Sequence, residues 1–257
     1  MPGDWESRSS PVEREFTHQA DRFAAAPVMR SAQTLDAFLE LLPTRPGDAF
    51  LDVACGPGIV TVALARRVRR AVGCDVTPKM LERARAEAAR EGAVGVEFVA
   101  GDATALPFPD GSFDGAVTRF SLHHIPHPVR VLREMARVVR PGGTVAAADH
   151  LTSVRGPAAA WHQEIERLRD PSHWACLTGP GLVRLGERAG LELLVSRRVR
   201  FTLDFEEWIT RGSGGLAHRA LIEALAEEPP PGGAGVFLRT GGVLRLRLGI
   251  AVWRRRP

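Results

Sequence analysis

Tyrosine is missing from this 257-residue chain altogether, and lysine occurs once, at Lys79. Arginine therefore supplies 33 of the 34 basic residues, alongside abundant alanine, glycine and proline, a bias that reads as a GC-rich coding background. The arginines are spread along the chain rather than clustered, so the net charge of +4 and the pI near 9.7 do not read as a nucleic-acid footprint. Cysteine is scarce. Cys55, Cys74 and Cys176 are too few and too irregularly spaced for a disulfide framework, a zinc motif or a radical-type iron–sulfur cluster. No apolar run reaches the ~18 residues of a membrane span. The polar stretch Met1–Pro11 carries both signs of charge and does not read as a signal peptide. The expected compartment is the reducing cytoplasm. Hydrophobic content of 44% and charged content of 25% suit a soluble globular protein long enough to bury a full core.

Residues 1–10 are expected to be loose. Phe16, Ala20 and Phe23 recur at helical spacing and predict a helix over Pro11–Met29; Leu35, Phe38, Leu39 and Leu42 predict a second over Ser31–Leu42. Strands and helices then alternate. Strands are expected at Ala49–Ala54, Ala71–Asp75, Val96–Ala100, Phe113–Thr118 and Thr144–Asp149, with helices from the glycine turn to Arg70, at Pro78–Glu91 and at Pro128–Val139. After Asp149 the rhythm changes: a helix over 155–170, an irregular Asp170–Trp174, a helix over Gly179–Ala189 and a strand at Leu191–Leu203. Helices at Phe205–Arg211 and Leu216–Ala226, a turn at Pro229–Gly233 and a strand at Val243–Trp253 complete the chain. The expected fold is α/β: a Rossmann-like, doubly wound, mostly parallel seven-stranded sheet with an antiparallel edge strand and helical lids. One domain is expected over 1–257, with 1–45 an N-terminal helical lid, 46–150 the core, 151–178 a substrate lid and 179–257 the rest of the sheet.

The run Phe50–Gly58 joins a buried strand to a helix through a tight glycine turn, where a ligand can approach bare backbone. A dinucleotide fingerprint needs glycine at position 61, and this chain has Thr61. The pattern Asp52-x-Ala54-x-Gly56-x-Gly58 instead resembles motif I of class I S-adenosylmethionine (SAM) methyltransferases, departing from it at Ala54, where glycine is usual. Gly73–Leu81 follows, with Asp75 placed 19 residues past Gly56, followed by Val76 and Met80. A carboxylate there suits both ribose hydroxyls; Met80 reads equally as an adenine-face contact or as helix core. Gly101-Asp102-Ala103 continues the likeness, as do Phe108–Asp114 and Leu132–Gly143, so that it spans about residues 48–150. The chain looks most like the ubiquinone/menaquinone-biosynthesis and small-molecule methyltransferase group. The resemblance implies that Asp102 accepts from the adenine amino group, that the Ala103 N–H meets a ring nitrogen, and that Arg119 and Phe120 border the methionine part of SAM.

The acceptor site is less legible. The Asn/Asp-Pro-Pro-aromatic motif of enzymes that methylate base nitrogens is missing after Thr118. His123 and His124 face the acceptor region and are candidate bases, or else support the cofactor loop; His150, at the end of the fifth strand, is a further candidate. Catechol-type enzymes put Asp-Asn where this chain has Asp149-His150, and no metal constellation is read. Phe16, His18, Arg22 and Phe23 on the first lid, with Arg30 beyond, are candidate substrate contacts. On the second lid, His162, Glu166 and Arg169 share a face opposite Trp161 and Ile165, which reads as a solvated face or as a polar substrate wall. Arg22, Arg30 and Arg169 are candidates to clamp an anionic acceptor. The leading reading is transfer of a methyl group from SAM to the oxygen or carbon of a small, specialised metabolite by a monomer or homodimer. Alternatives are a cyclisation or decarboxylation run in the same pocket, a non-catalytic SAM-binding regulator and a nucleic-acid methyltransferase.

Overall fold

The computed structural model describes residues 6–257. The loose start expected for residues 1–10 falls outside them at residues 1–5, and from Glu6 the chain is already helical. Helix α1 (Glu6–Ala25) ends ahead of Pro27, four residues earlier than the apolar spacing predicts. The residue before a proline is pushed into extended backbone, and Ala26 sits at φ −62°, ψ 118°. A 3₁₀ turn at Pro27–Arg30 and a π turn at Ala32–Asp36 then lead into α2 (Ala37–Leu39). The alternating section is β1 (Ala49–Val53), α3 (Ile59–Ala65), β2 (Arg70–Asp75), α4 (Pro78–Arg90), β3 (Val96–Ala100) and β4 (Phe113–Arg119). After a 3₁₀ turn at Leu122–His124 come α5 (Pro128–Val138), β5 (Val139–Thr152) and α6 (Gly156–Arg169). The chain continues through β6 (Leu177–Thr178), α7 (Gly179–Arg188), β7 (Leu191–Asp204), α8 (Phe205–Arg211), α9 (Arg219–Glu227), β8 (Phe237–Thr240) and β9 (Val243–Arg255).

The sheet runs β3-β2-β1-β4-β5-β9-β7, the seven expected strands. Two short strands, β6 against β5 and β8 against β9, bring the total to nine; at two and four residues they carry no readable alternation. β1 to β5 are mutually parallel, while β9 is antiparallel to both β5 and β7. The antiparallel strand therefore lies one place in from the edge, and β7 is the edge strand. Strand order reverses between β1 and β4, so the ligand crevice opens at their carboxyl ends.

Both faces of the sheet are covered, and successive residues feed opposite layers. Phe50, Val117, Ala146, Ala148, Leu248, Ile250 and Val252 enter one core; Leu51, Ala116, Val145, Ala147, Ala251 and Trp253 enter the other. Phe50 on β1 pairs in register with Gly115 on β4, and its ring occupies the space a side chain there would need. A Cβ at Gly115 would stand 2.3 Å from a Phe50 ring carbon. Gly115→Ala should therefore lower unfolding stability by about 1–3 kcal/mol, read as a shift of the urea midpoint at unchanged slope. Among the described residues no helix is long and apolar enough to cross a membrane.

Candidate active site

The carboxyl ends of β1, β2 and β4 meet in a cleft of about 1220 Å³ of empty space, counting its open mouth. Asp52, Ala54, Gly56, Asp75, Val76, Met80, Gly101, Asp102, Ala103, Arg119 and Phe120 all line it, with Phe16, Phe23 and His124 at the side of the N-terminal helix. Gly58 does not. At φ +77° it caps α3, and a Cβ there would stand 2.9 Å from the Ala84 Cβ, so its demand is the packing of α4 against the turn. Ala54 and Phe120 hold left-handed backbone at φ 53° and 55°. That costs an L-residue about 1–3 kcal/mol and is characteristic of sites where backbone shape matters. It also accounts for glycine being the usual residue at position 54 in the family resembled.

The carboxylates in the cleft are fixed by backbone and hydroxyl donors. Asp75 Oδ2 accepts from the Gly56 N–H at 2.8 Å and Oδ1 from the Thr77 N–H at 2.9 Å, tying β2 to the glycine turn. Asp102 Oδ1 accepts from the Thr104 N–H at 2.7 Å and its hydroxyl at 2.9 Å. Asp52, 1% exposed, accepts from the Thr61 hydroxyl at 2.7 Å. Position 61 thus serves the carboxylate, a pairing that sequence spacing does not reveal. Arg119 donates to the Met29 carbonyl at 2.8 Å and to Thr34 Oγ1 at 3.2 Å, joining the lid segment to β4. Burial pushes the Asp52 carboxyl up to about 7 against the Thr61 bond and the Arg119 charge, and pushes Arg119 down to about 10. A carboxyl raised in the folded state contributes stability that is complete below its unfolded pKa and is lost as pH rises through the folded one. Asp52→Asn should therefore gain on the wild type by about 1.4 kcal/mol per pH unit between about pH 4 and 7, measured by urea unfolding of the ligand-free protein.

Behind Phe23, Met29, Phe120 and His124, which line both spaces, the cleft continues into an inner chamber of about 490 Å³. One wall is apolar, with Phe201, Leu203, Trp208 and Leu246; the other carries His123, His150, Glu166, Arg169, Asp170 and Arg211. His124 Nδ1 lies 2.9 Å from Ser172 Oγ, whose proton goes to Asp170 Oδ1 at 2.6 Å. Since that hydroxyl proton is committed, His124 donates from Nδ1, and its neutral form carries a free Nε2 lone pair. His123 Nδ1 stands 2.7 Å from Asp149 Oδ1, and His150 Nε2 stands 2.8 Å from Cys176 Sγ. Burial pushes His150 down to about 3 and holds His123 and His173 below the ordinary histidine range.

The solvated-face reading of α6 is wrong. His162, Glu166 and Arg169 are 0%, 1% and 5% exposed: this face is buried like the one carrying Trp161 and Ile165, and the exposed stripe of the helix runs through Ala160, Glu164 and Arg167. Arg169 reaches the inner chamber, whereas His162 lines neither space. His18, Arg22 and Arg30 also lie outside both linings, and His18 and Arg22 are exposed. Arg22 donates to the Thr210 carbonyl, while Arg30 pairs with Glu87 at 2.9 Å. Three arginines on one clamp do not form. Sequence reasoning missed Ser172, Asp170 and Arg211; the first two sit in a stretch whose Asp-x-Ser spacing marks an Asx turn, with the Ser172 N–H on Asp170 Oδ1 at 2.9 Å.

Residues 51–147 match the family described as "Methyltransferase domain". Over this stretch the chain is similar to SAM-dependent methyltransferase domains. It is 36% identical over 171 residues to the 27-O-demethylrifamycin SV methyltransferase of Amycolatopsis mediterranei, covering 65% of this chain and 56% of that protein. Against the demethylmenaquinone methyltransferase of Beutenbergia cavernae, identity is 41% over 124 residues, or 48% of this chain and 50% of that protein. The chain thus spans about half the length of these curated relatives. The methyltransferase-domain fold extends further: the crystal structure of the YcgJ protein from Bacillus subtilis superposes with a TM-score of 0.79 at 25% identity, covering 87% of this chain and 98% of that one.

Proposed function

We propose that this protein transfers a methyl group from SAM, held in the outer cleft, to a small-molecule acceptor held in the inner chamber. The observation that carries this reading is the junction: Phe120 and His124 border both spaces, so a donor methyl and an acceptor atom meet beside them. The glycine turn at Ala54–Gly56 faces the amino-acid half of SAM, Asp75 takes the ribose hydroxyls, and Asp102 and the Ala103 N–H take the adenine. The acceptor oxygen attacks the sulfonium methyl carbon as the carbon–sulfur bond breaks, giving S-adenosylhomocysteine, and the acceptor proton passes to His124 Nε2. Positioning supplies most of the rate, since the methyl group is already activated.

The chamber describes its acceptor. An apolar wall beside two buried guanidinium groups suits a molecule with an apolar body and an oxygen-bearing end. Arg169 pairs with Glu166 at 3.4 Å and with Asp170 at 3.3 Å, and its Nη1 is buried without a hydrogen-bond partner, so a carboxylate or phenolic oxygen would satisfy that nitrogen. The relative named for 27-O-demethylrifamycin SV supports O-methylation of a specialised metabolite. The test is a panel of hydroxylated and carboxylated aromatic acceptors incubated with enzyme and SAM, with S-adenosylhomocysteine and a methyl-sized mass gain followed together. A product formed without S-adenosylhomocysteine would sink the methylation reading in favour of cyclisation or decarboxylation. Arg169→Gln should raise KM for the anionic acceptors found about tenfold, the loss of one charge-assisted bond, with little change in SAM affinity.

A further inference from the structure

The sequence gives no metal motif, because the donors stand on separate elements and only folding brings them together. His150 lies near the end of β5, His162 and Glu166 lie at i and i+4 on one face of α6, and Cys176 follows the irregular segment. The geometry points to a buried transition-metal site, zinc by its donor set, held by His150, His162 and Cys176, with Glu166 beside both imidazoles. The ligating atoms of His150, His162 and Cys176 lie within 4.8 Å of one another, all buried. Glu166 Oε1 is 3.5 Å from His162 Nε2 and 3.7 Å from His150 Nε2. Tetrahedral zinc with its usual bond lengths sets nitrogen–oxygen edges of about 3.4 Å and nitrogen–sulfur edges of about 3.6 Å. The carboxylate edges are already near that spacing. His150 Nε2 and Cys176 Sγ, now sharing a hydrogen bond at 2.8 Å, must open by under an ångström.

Unmet polar demand points the same way. His162 Nε2 and Glu166 Oε1, 3.5 Å apart, are buried with no hydrogen-bond partner, while Glu166 Oε2 stands 3.4 Å from Arg169 Nε. Orphaned groups of this kind are costly, and a single divalent cation would satisfy them together. The far nitrogens of the two imidazoles have outer partners of the sort that orient metal ligands: Asp149 Oδ1 at 3.5 Å from His150 Nδ1, and Thr152 Oγ1 at 3.3 Å from His162 Nδ1. A thiolate with imidazoles selects zinc or cobalt over magnesium or calcium. The Cys176 thiol gives up its proton to solvent on binding, and thiolate and carboxylate together offset part of the charge of the ion and of Arg169 beside Glu166. Held by residues of β5, α6 and the segment after α6, the ion acts as a clamp joining α6 to the end of β5 at the chamber wall, which His150 and Glu166 line. A neighbouring trio, His123, His150 and His173, shares His150. There His173 Nε2 is already engaged by Gln163 Oε1 at 2.6 Å, and His123 Nδ1 by Asp149.

Cobalt is the probe. The full-length protein, treated with chelator and checked for fold by circular dichroism, is titrated with Co²⁺. We expect one equivalent to bind with the intense visible bands of tetrahedral cobalt, a near-ultraviolet sulfur-to-cobalt band, release of about one proton, and displacement by Zn²⁺. Cys176→Ser should lose the sulfur band, His162→Gln should weaken cobalt binding at least tenfold, and His173→Gln should leave the spectrum unchanged. A folded wild-type protein that gives no tetrahedral cobalt spectrum overturns the site. So does a spectrum unaffected by Cys176→Ser or abolished by His173→Gln. None of these readouts depends on methyl transfer.

Discussion

Replacing His124 by alanine should lower kcat about 10²- to 10⁴-fold, the usual contribution of a positioned general base, while SAM affinity stays within about threefold. The expectation rests on position and on the proton inventory. His124 borders both the outer cleft and the inner chamber, whereas His123 and His150 border only the chamber. Ser172 gives its single proton to Asp170, so His124 Nδ1 must donate to Ser172 and its Nε2 can receive. His123 has a comparable arrangement with Asp149 but is held further from a proton-accepting role at neutral pH by burial. Two variants separate chemistry from packing. The Phe16 ring meets His124 edge-on at 4.7 Å, so alanine also removes a contact, and His124→Gln restores bulk without a base. If glutamine recovers the rate, the histidine is a positioning residue. If it stays slow, the base assignment stands. Ser172→Ala should reduce kcat by a smaller factor, since it frees the tautomer without removing the ring.

The cleft was legible in the sequence because each candidate cofactor residue sits at or just past the end of a strand, where local order and spatial order coincide. Asp52, Asp75 and Arg119 stand near the ends of three strands and Asp102 just past a fourth, and parallel pairing delivers their side chains to one crevice. Gly58 shows the limit of that reasoning even there. It belongs to the motif by spacing, yet its left-handed backbone and the nearby Ala84 give it a packing task rather than a place in the cleft wall. The inner chamber was illegible because it depends on long-range closure. Helix α6 carries polar residues at helical spacing, a pattern that fits a solvated surface as well as a buried network. What decides between them is α1 on one side, with Gln19 donating to Asp170 at 2.8 Å, and the α8 region on the other, with the Arg169 guanidinium 5.1 Å from the Trp208 ring. Neither contact leaves a periodic signal. The abundance of arginine had a similar cost: Arg22, Arg30 and Arg169 looked equivalent along the chain, yet one is enclosed and the others are bound to outer elements.

Asp75→Ala should weaken SAM and S-adenosylhomocysteine binding about 10- to 150-fold, or ~1.5–3 kcal/mol, the range for hydrogen bonds to a charged group. Two losses combine. The variant removes the carboxylate placed for the ribose hydroxyls, and it leaves the Gly56 and Thr77 N–H groups without the acceptor that holds them at 2.8 and 2.9 Å. The second loss matters because Gly56 lies in the turn proposed to face the amino-acid half of the cofactor, so on that reading both ends of one ligand depend on one side chain. Asp75→Asn tells the two apart. Its amide oxygen can keep one backbone bond and hold the turn, but it offers the ribose a neutral partner. Calorimetry should therefore place asparagine between wild type and alanine, with binding enthalpy falling in step with affinity. Equal affinities for wild type and alanine would remove the ribose assignment. Equal affinities for asparagine and alanine would mean that charge, rather than the held turn, supplies the whole effect. Neither outcome should alter the thermal midpoint of the ligand-free protein by as much as it alters binding, since Asp75 anchors a turn at the cleft and takes no part in either apolar core.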